Sequence, residues 1–197
     1  MTELLSTFKE RGALLEGHFL LSSGLHSPCY LQCARVLMDP ELASRLGRKL
    51  AKSLQPLLSA AKPSAVIGPA LGGVLVAHEV ARALGCRGLF TEREDGAMTL
   101  RRGFRLERGE QIVVVEDVIT TGGSTREVMD AVREQGARVL AVGSLVDRSE
   151  ELDLGVPRCS LLKLDVPTYP AESCPLCRAG SKPEKPGSRA RPAGETA

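Results

Sequence analysis

A strongly apolar stretch of the chain, IVVV at 112–115, ends in two acids, Glu116 and Asp117. A run of hydroxyl residues and glycines follows. It consists of Thr120, Thr121, Gly122, Gly123, Ser124 and Thr125. Glycines let backbone N–H groups approach a ligand, hydroxyls add hydrogen-bond donors, and a helix start adds partial positive charge. The run therefore predicts a phosphate cradle, although a simple capped loop at a helix start uses the same residue types.

The two acids favour the phosphate-cradle interpretation and limit the class of ligand that the site can bind. Carboxylates at the end of an apolar strand lose hydration, which costs several kcal/mol for each unpaired charge. A phosphate would repel them, whereas the hydroxyls of a ribose can donate hydrogen bonds to them. We therefore expect Glu116 and Asp117 to hold sugar hydroxyls while residues 120–125 hold a phosphate further along the same ligand. A ribose 5-phosphate meets both requirements.

The elements that must position these residues alternate along the chain. Strand patterns cover 65–68, 88–94, 112–116, 138–148 and 159–165, and helical patterns cover 2–16, 40–58, 71–85 and 124–135. This alternation predicts an α/β fold with a mainly parallel sheet, in which ligands bind beyond the carboxyl ends of the strands. Residues 17–37 contain strand-like pieces around a turn, and residues 95–110 read as a hairpin or mobile loop.

Length and composition limit the class of protein. The chain has 197 residues and 43% hydrophobic content, which predicts one domain with a good core. A net charge of +2 and 3% aromatic residues argue against a nucleic-acid partner. No run approaches the roughly 18 apolar residues of a membrane span, and the first residues lack signal-peptide order, so we expect a cytoplasmic protein. Residues 179–197 carry no large apolar side chain and predict an unstructured tail.

The cysteines are predicted to be reduced thiols. They are Cys29, Cys33, Cys86, Cys159, Cys174 and Cys177, and only the last two form a CxxC pair. A structural zinc site needs four ligands. A second CxxC is missing and the three histidines, His18, His26 and His78, show no ligand spacing, so the sequence argues against a metal held by protein side chains.

Several segments resemble one enzyme family. VVVEDVITTGGST resembles the 5-phosphoribosyl 1-pyrophosphate (PRPP) signature of the type I phosphoribosyltransferases. GHFLLSSGLHSPCYLQ (17–32) resembles the hood segment of the orotate phosphoribosyltransferase family, GPALGG (68–73) its pyrophosphate loop, and LVDRSE (145–150) its arginine-bearing strand end. The resemblance implies a type I phosphoribosyltransferase-like fold, with a mainly parallel sheet flanked by helices and a small N-terminal hood. It implies a single domain, 1–178, with the hood at about 1–37.

The resemblance also implies a reaction, the transfer of ribose 5-phosphate from PRPP to N1 of orotate. The products are orotidine 5′-monophosphate and pyrophosphate, in pyrimidine biosynthesis. Mg²⁺ is the implied cofactor and is expected mainly on PRPP itself, because it prefers ligand oxygens and keeps much of its water. The acids and the cradle would bind ribose and 5-phosphate, and the pyrophosphate loop would use its backbone N–H groups. That loop is Ala70, Leu71, Gly72 and Gly73, and the family often has a cis peptide where Ala70 meets Leu71.

For the base, the resemblance places Arg148 against the orotate carboxylate, which suits the planar guanidinium fork. The implied remainder of the base pocket is Thr120, Ser22, Ser23, Tyr30 and Leu31. Alternatives remain for these residues. Arg148 can be a surface arginine paired with Asp147 or Glu150, the serines a plain turn, and Tyr30 ordinary core.

The chain departs from the family in two segments. Many orotate enzymes carry a lysine where this chain has Ser22, and many carry a longer loop rich in Lys with a His. The corresponding segment here, 92–104, has neither, so Arg93, Arg101 and Arg102 are the candidates for catalytic charge alongside Asp117. The alternative is a structural hairpin with exposed arginines. In the family this loop reaches a neighbour's active site, which implies a homodimer.

Two other functions compete with the orotate reaction. The first is the same chemistry on another base such as adenine or xanthine, but a purine offers no carboxylate for Arg148. The second is a PRPP- or nucleotide-sensing regulator that has lost catalysis, and the missing lysines are its best support.

Overall fold

The computed structural model describes residues 2–21, 23–59 and 61–186. Its described residues form two units. One contains residues 2–13 and Cys33–Asp165, and the other contains Leu14–Gln32 together with the described residues from Val166 onward. The second unit differs from the hood expected at about 1–37. Residues 2–13 and 33–37 belong to the first unit, and the described segment from Val166 belongs to the second. The predicted residue Ser22 lies outside the described residues.

The helices and strands follow the predicted alternation. The strands are β1 (Leu14–Leu20), β2 (His26–Leu31), β3 (Ala65–Pro69), β4 (Arg87–Glu94), β5 (Ala97–Leu100), β6 (Gln111–Ile119), β7 (Arg138–Asp147) and β8 (Arg158–Lys163). The α-helices are α1 (Thr2–Glu10), α2 (Ala34–Leu37), α3 (Pro40–Leu54), α4 (Gly72–Leu84), α5 (Gly123–Glu134) and α6 (Pro175–Arg178). Short 3₁₀ helices cover Gln55–Leu58 and Ala171–Ser173.

The first unit is built on a mainly parallel sheet, as predicted. Among the described residues it has six strands in the order β5-β4-β3-β6-β7-β8, and only the β4–β5 pair is antiparallel. Its central strands are buried on both faces, and Val113, Val114 and Val115 have no exposed surface. Such continuous β-branched runs are typical of strands covered by helices on both sides. The order places the carboxyl ends of β3 and β6 next to each other.

Helices α3 and α4 approach closely beside this sheet. Asp39 caps α3 by accepting hydrogen bonds from the backbone N–H groups of Glu41 and Leu42, each at 3.1 Å. A Cβ added at Gly47 of α3 would lie 2.5 Å from the Cβ of Glu79 on α4, so only glycine allows this spacing. Across the described ranges, none of the helices has the length and apolar character needed to span a membrane.

Two elements differ from the predicted boundaries. The predicted helix 2–16 ends at Glu10, because Gly12 adopts a left-handed conformation (φ 62°) and the chain then pairs as β1. The predicted strand 112–116 continues to Ile119, because its pairing with β7 extends to Asp147. The two acids therefore lie inside a strand, where successive side chains point to opposite faces.

The second unit is an antiparallel β1–β2 hairpin joined to the C-terminal segment. The N–H of Leu20 donates to the carbonyl of Glu184 at 2.7 Å, and the N–H of Glu184 donates to the carbonyl of His18 at 2.8 Å. The expectation that the chain lacks structure from residue 179 is therefore wrong up to residue 186. These residues are held by backbone hydrogen bonds, which the apolar content of the sequence does not reveal. The remainder of the predicted tail, 187–197, lies outside the described residues.

Candidate active site

Two helices begin at the carboxyl edge of the sheet, side by side. Strand β3 leads into α4, which starts at Gly72, and β6 leads into α5, which starts at Gly123. No described side chain caps either helix start. Their first N–H groups and the positive ends of their dipoles remain available to a ligand. The edge therefore offers two neighbouring positions for anions.

The loop between β3 and α4 is set by backbone contacts that only glycine permits. A Cβ at Gly68 would lie 2.4 Å from the carbonyl oxygen of Gly73, and one at Gly73 would lie 2.7 Å from Cδ of Pro69. The peptide bond between Ala70 and Leu71 is cis, as the resemblance led us to expect. The Ala70 N–H donates to the carbonyl of Thr91 on β4 at 2.8 Å, which ties the loop to the neighbouring strand.

Asp117 lies directly against this loop. A Cβ added at Gly72 would fall within 2.4–2.5 Å of all three atoms of the Asp117 carboxylate. Burial raises the pKa of Asp117, and hydrogen bonds from backbone N–H groups, among them that of Val118, offset part of this effect. The structure thus brings together the predicted pyrophosphate loop and one of the two predicted ribose acids.

Glu116 points the other way, towards α5. The hydroxyl of Thr125, which is fully buried, donates to its Oε2 atom. Burial raises the pKa of Glu116 to about 7; the Thr125 hydrogen bond opposes this rise and the nearby Asp117 charge adds to it. The carboxylate is therefore easily protonated near neutral pH, and a ligand that donates hydroxyl hydrogen bonds favours its ionised form.

Residues outside the predicted set, Arg126, Leu152 and Asp153, contact the phosphate cradle and support its conformation. Gly122 has a left-handed conformation (φ 75°), and a Cβ there would lie 3.0 Å from the methyl groups of Leu152. The Nη1 atom of Arg126 donates to the carbonyl of Thr121 at 3.1 Å, and its Nη2 atom donates to that of Asp153 at 2.7 Å. An arginine in the first turns of a helix carries no sequence signal for this role, because surface helices commonly carry charge there.

Arg148 is placed at the same edge. Its backbone N–H donates to the carbonyl of Ile119 at 2.8 Å, so it follows directly beside the end of β6. The preceding residue, Asp147, accepts a 2.6 Å hydrogen bond from the Ser149 hydroxyl and pairs with Arg158. Burial alone would raise the pKa of Asp147, but the bonds from Ser149 and Arg158 outweigh it and lower the pKa.

The three candidate catalytic arginines make ion pairs on the β4–β5 hairpin and on α5. Arg102 forms two 2.7 Å bonds with the carboxylate of Glu92. Arg101 lies 3.2 Å from Glu94, and Arg93 lies 2.9 Å from Glu127 of α5. This is what a structural hairpin with exposed arginines would show. Ion pairs at the surface are weak because solvent screens them, so these arginines exchange easily for a stronger anionic partner.

The remaining predicted base-pocket residues belong to the second unit. Ser23 is exposed and its hydroxyl oxygen accepts a 3.5 Å bond from the Leu25 N–H. Tyr30 and Leu31 are half-buried in β2, and the Tyr30 ring packs 5.8 Å from that of Phe19. Their assignment to a base pocket stays a prediction.

Comparisons with known proteins identify relatives of this chain. The model of the phosphoribosyl transferase domain matches residues 36–154. The orotate phosphoribosyltransferase of Thermotoga maritima is 54% identical over 182 residues, covering 92% of this chain and 95% of that protein. The orotate phosphoribosyltransferase of Heliobacterium modesticaldum is 54% identical over 188 residues, covering 95% and 97%. The matched domain includes every candidate site residue of the first unit.

A solved structure shows the same architecture. The crystal structure of orotate phosphoribosyltransferase from Aeropyrum pernix aligns with a TM-score of 0.68 at 31% sequence identity. The alignment covers 82% of this chain and 93% of that chain. The mainly parallel sheet flanked by helices is therefore shared with an enzyme of that name.

The contact between Gly72 and Asp117 predicts the effect of one methyl group. We expect Gly72→Ala to weaken PRPP binding by at least about tenfold, or about 1.4 kcal/mol, because the new Cβ displaces the carboxylate. Calorimetric titration with PRPP measures the change. Gly88→Ala is the matched control, since its Cβ would come no closer than 3.3 Å to any neighbouring atom, the nearest being the Ala81 methyl. Unchanged PRPP affinity in Gly72→Ala would contradict this role for the contact.

The raised pKa of Glu116 predicts that a neutral side chain at this position stabilises the protein more at high pH than at low pH. The pKa of this carboxyl is about 7 in the folded protein and 4.5 ordinarily. Between these two pH values the unfolded chain loses the proton while the folded protein still holds it, which favours unfolding. The wild type therefore loses stability from this group between those values. We expect Glu116→Gln to raise the free energy of unfolding at about pH 8 by up to about 2 kcal/mol more than at about pH 5.

Urea unfolding of the ligand-free protein at both pH values measures this difference. Glu134→Gln, an exposed substitution at the end of α5, is the control. An equal effect of Glu116→Gln at both pH values would show that the Glu116 carboxyl titrates normally.

Proposed function

The chain belongs to the orotate phosphoribosyltransferases of the phosphoribosyltransferase family, and from this premise we propose how its residues carry the reaction. The enzyme transfers ribose 5-phosphate from PRPP to N1 of orotate. It produces orotidine 5′-monophosphate and pyrophosphate in pyrimidine biosynthesis. Neither a reaction on another base nor a regulator without catalysis is favoured by an observation on this chain.

One observation carries the assignment of PRPP to the site. Two uncapped helix starts, at Gly72 and Gly123, flank a pair of half-buried carboxylates. PRPP has the matching order of groups, since a pyrophosphate and a 5-phosphate stand on either side of the ribose hydroxyls. Each phosphate then meets backbone N–H groups, while the acids meet hydroxyl donors. Spacing along the ligand avoids repulsion between the acids and the phosphates.

The proposed PRPP contacts follow this order. The backbone N–H groups of Ala70, Leu71, Gly72 and Gly73 bind the pyrophosphate. Glu116 and Asp117 accept hydrogen bonds from the ribose hydroxyls. The 5-phosphate is bound by Thr120, Thr121, Gly122, Gly123, Ser124 and Thr125. Thr125 contributes its backbone N–H group, because its buried hydroxyl donates to Glu116. Arg126 is a positioning residue, since its hydrogen bond to the Thr121 carbonyl holds the phosphate loop in place.

These residues favour the reaction by position and charge. As N1 of orotate attacks C1 of the ribose, the bond to pyrophosphate breaks and the ribose gains oxocarbenium character. Donors at residues 70–73 stabilise the negative charge that grows on the leaving pyrophosphate. The carboxylates of Glu116 and Asp117 favour positive charge on the ribose. Binding both substrates in a fixed orientation lowers the entropic part of the barrier.

The donor set at the site suits Mg²⁺. The nearest side-chain ligands are the hard carboxylate oxygens of Glu116 and Asp117, and Asp117 lies against the loop assigned to pyrophosphate. Mg²⁺ prefers oxygen ligands and retains water, so we assign it mainly to PRPP, with these two acids in support. When bound, it neutralises part of the negative charge on the pyrophosphate.

The orotate contacts are proposed from the family match. Arg148 pairs with the orotate carboxylate, and its backbone bond to Ile119 keeps it beside the cradle. Thr120 is shared with the phosphate site. The hood segment supplies Ser22, Ser23, Tyr30 and Leu31.

The hairpin arginines are proposed to serve a neighbouring subunit of a cytoplasmic homodimer. Arg93, Arg101 and Arg102 lie in the segment 92–104, where the family carries its shared loop. Their ion pairs with carboxylates are partly exposed to solvent, so the arginines are released at small cost when a pyrophosphate is present. Light scattering on the purified chain checks the dimer, and a monomer that is fully active would contradict the shared loop.

A substrate panel tests the proposed function. With PRPP and Mg²⁺, we expect ultraviolet absorbance to show consumption of orotate, with adenine, uracil and xanthine left unchanged. Consumption of another base in place of orotate would assign the chemistry to that base. If PRPP binds but no base reacts, the chain is a sensor.

Arg148 gives the sharpest test of base recognition. We expect Arg148→Ala to raise the KM for orotate by about tenfold to a hundredfold, as expected for the loss of a charge-assisted hydrogen bond, while the KM for PRPP changes little. Steady-state kinetics with each substrate varied in turn measures both constants. Arg138→Ala, at the opposite end of β7, is the matched control. Equal loss for both substrates would indicate a folding role instead.

A further inference from the structure

The second unit has an unusual interior for its size. Among its described residues, the buried side chains are His18, Phe19, His26, Ser27 and Cys174. Phe19 is the one large apolar side chain in this set. Units this small rarely gain enough stability from apolar burial alone, and they commonly depend on disulfides or metal ions. All cysteines of the chain are free thiols in the structure, so no disulfide supplies the missing stability.

Four possible metal ligands converge inside this unit. They are His18, His26, Cys174 and Cys177, and their ligand atoms all lie within 4.8 Å of one another. Nε2 of His18 lies 3.0 Å from Nδ1 of His26. The Cys174 sulfur lies 3.5 Å from Nε2 of His18, and the Cys177 sulfur lies 3.3 Å from Nδ1 of His26.

These separations are close to those of a tetrahedral zinc site. Zn–N bonds of about 2.0–2.1 Å and Zn–S bonds of about 2.3 Å place tetrahedral ligands about 3.3 Å (N to N), 3.5 Å (N to S) and 3.8 Å (S to S) apart. The Cys177 sulfur also lies 3.8 Å from Nε2 of His18, slightly farther than the ideal nitrogen–sulfur separation. One ion at the centre can therefore reach all four atoms with shifts of a few tenths of an ångström.

The hydrogen bonding of His18 orients it as a metal ligand. Its Nδ1 atom lies 3.1 Å from the carbonyl oxygen of Ser181. A carbonyl only accepts hydrogen bonds, so Nδ1 carries the proton and Nε2 turns a lone pair towards the cluster. Metal-bound histidines usually donate their second ring N–H to a carbonyl or carboxylate in this way.

We propose that His18, His26, Cys174 and Cys177 bind a structural Zn²⁺ ion. Two thiolates and two neutral imidazoles balance the charge of the ion, so the complex is neutral and can be buried. Binding releases the two thiol protons. Soft sulfur and imidazole ligands in a tetrahedron select Zn²⁺ over Mg²⁺ or Ca²⁺. With four protein ligands the site is closed to substrate.

The ion would join segments that are far apart in the sequence. His18 and His26 lie on β1 and β2, whereas Cys174 directly precedes α6 and Cys177 lies in it, and His18 is 156 residues from Cys174. The prediction that side chains bind no metal was based on the absence of a second CxxC and of regular histidine spacing, and it is not supported here. The four ligands come from two strands and a distant short helix, so their spacing in the sequence gives no zinc signal. The site is independent of the proposed reaction, since none of the four residues is assigned to it.

The metal content of the full chain tests this proposal. We expect protein purified without an affinity tag, from zinc-supplemented medium under reducing conditions, to contain about one zinc ion per chain by mass spectrometry. Cys174→Ser and Cys177→Ser should each lose most of it. Cys86→Ser, which alters a cysteine outside the cluster, is the matched control and should keep it. Removal of zinc with a chelator should lower Tm by at least about 5 °C.

Cobalt substitution tests the same ligands without relying on variants that fold poorly. Co²⁺ added to zinc-depleted wild type should give the ligand-field and thiolate charge-transfer absorption of a tetrahedral site, and added Zn²⁺ should abolish it. Wild type that holds neither zinc nor cobalt would overturn the proposal. So would equal loss of zinc in Cys86→Ser, or an intact mass two hydrogen atoms low that reveals a Cys174–Cys177 disulfide.

Discussion

The close backbone contact between the end of β3 and the start of α4 is the constraint on which the site depends. Gly68 and Gly73 touch through their main chains, and Gly72 leaves room for the Asp117 carboxylate. A side chain at any of these positions would separate the loop from the acid. Because β3 lies beside β6 in the sheet, this contact also fixes the distance between the two helix starts that face the ligand.

The two acids, Glu116 and Asp117, cost folding free energy in the ligand-free protein, and a bound ligand can offset that cost. Glu116 and Asp117 are half-buried at the edge of an apolar sheet, and the partial loss of hydration raises the pKa of both. Thr125 compensates only one oxygen of Glu116. Hydroxyl donors on a ligand can satisfy the remaining lone pairs, so part of the folding free energy lost at this site returns on binding. This explains why carboxylates stand so close to a phosphate cradle.

Three different interactions hold the parts of the molecule. The first unit has a conventional apolar core of β-branched strands and amphipathic helices. The β4–β5 hairpin is covered by exposed arginine–carboxylate pairs, which exchange partners easily. The interior of the second unit contains imidazole and thiol groups where leucines are usual, and the proposed Zn²⁺ ion would supply the stability that apolar burial does not. The hairpin is therefore the segment best suited to respond to an anionic ligand.

The sequence alone determined the features that are local along the chain. The alternation of strands and helices, and the change from IVVV to acids, hydroxyls and glycines, predicted the parallel sheet and a site at its carboxyl edge. Both follow from residues near each other in sequence, where side-chain periodicity and turn chemistry act directly.

Only the tertiary structure decided which groups meet. The extension of β6 to Ile119 sends Glu116 to α5 and Asp117 to Gly72, and this depends on pairing with β7. The support of the cradle by Arg126 depends on packing against the segment at Asp153. The convergence of His18 with Cys174 depends on pairing between segments more than 150 residues apart. Local pattern carries no information on such contacts, because hydrogen bonding and packing across the fold create them.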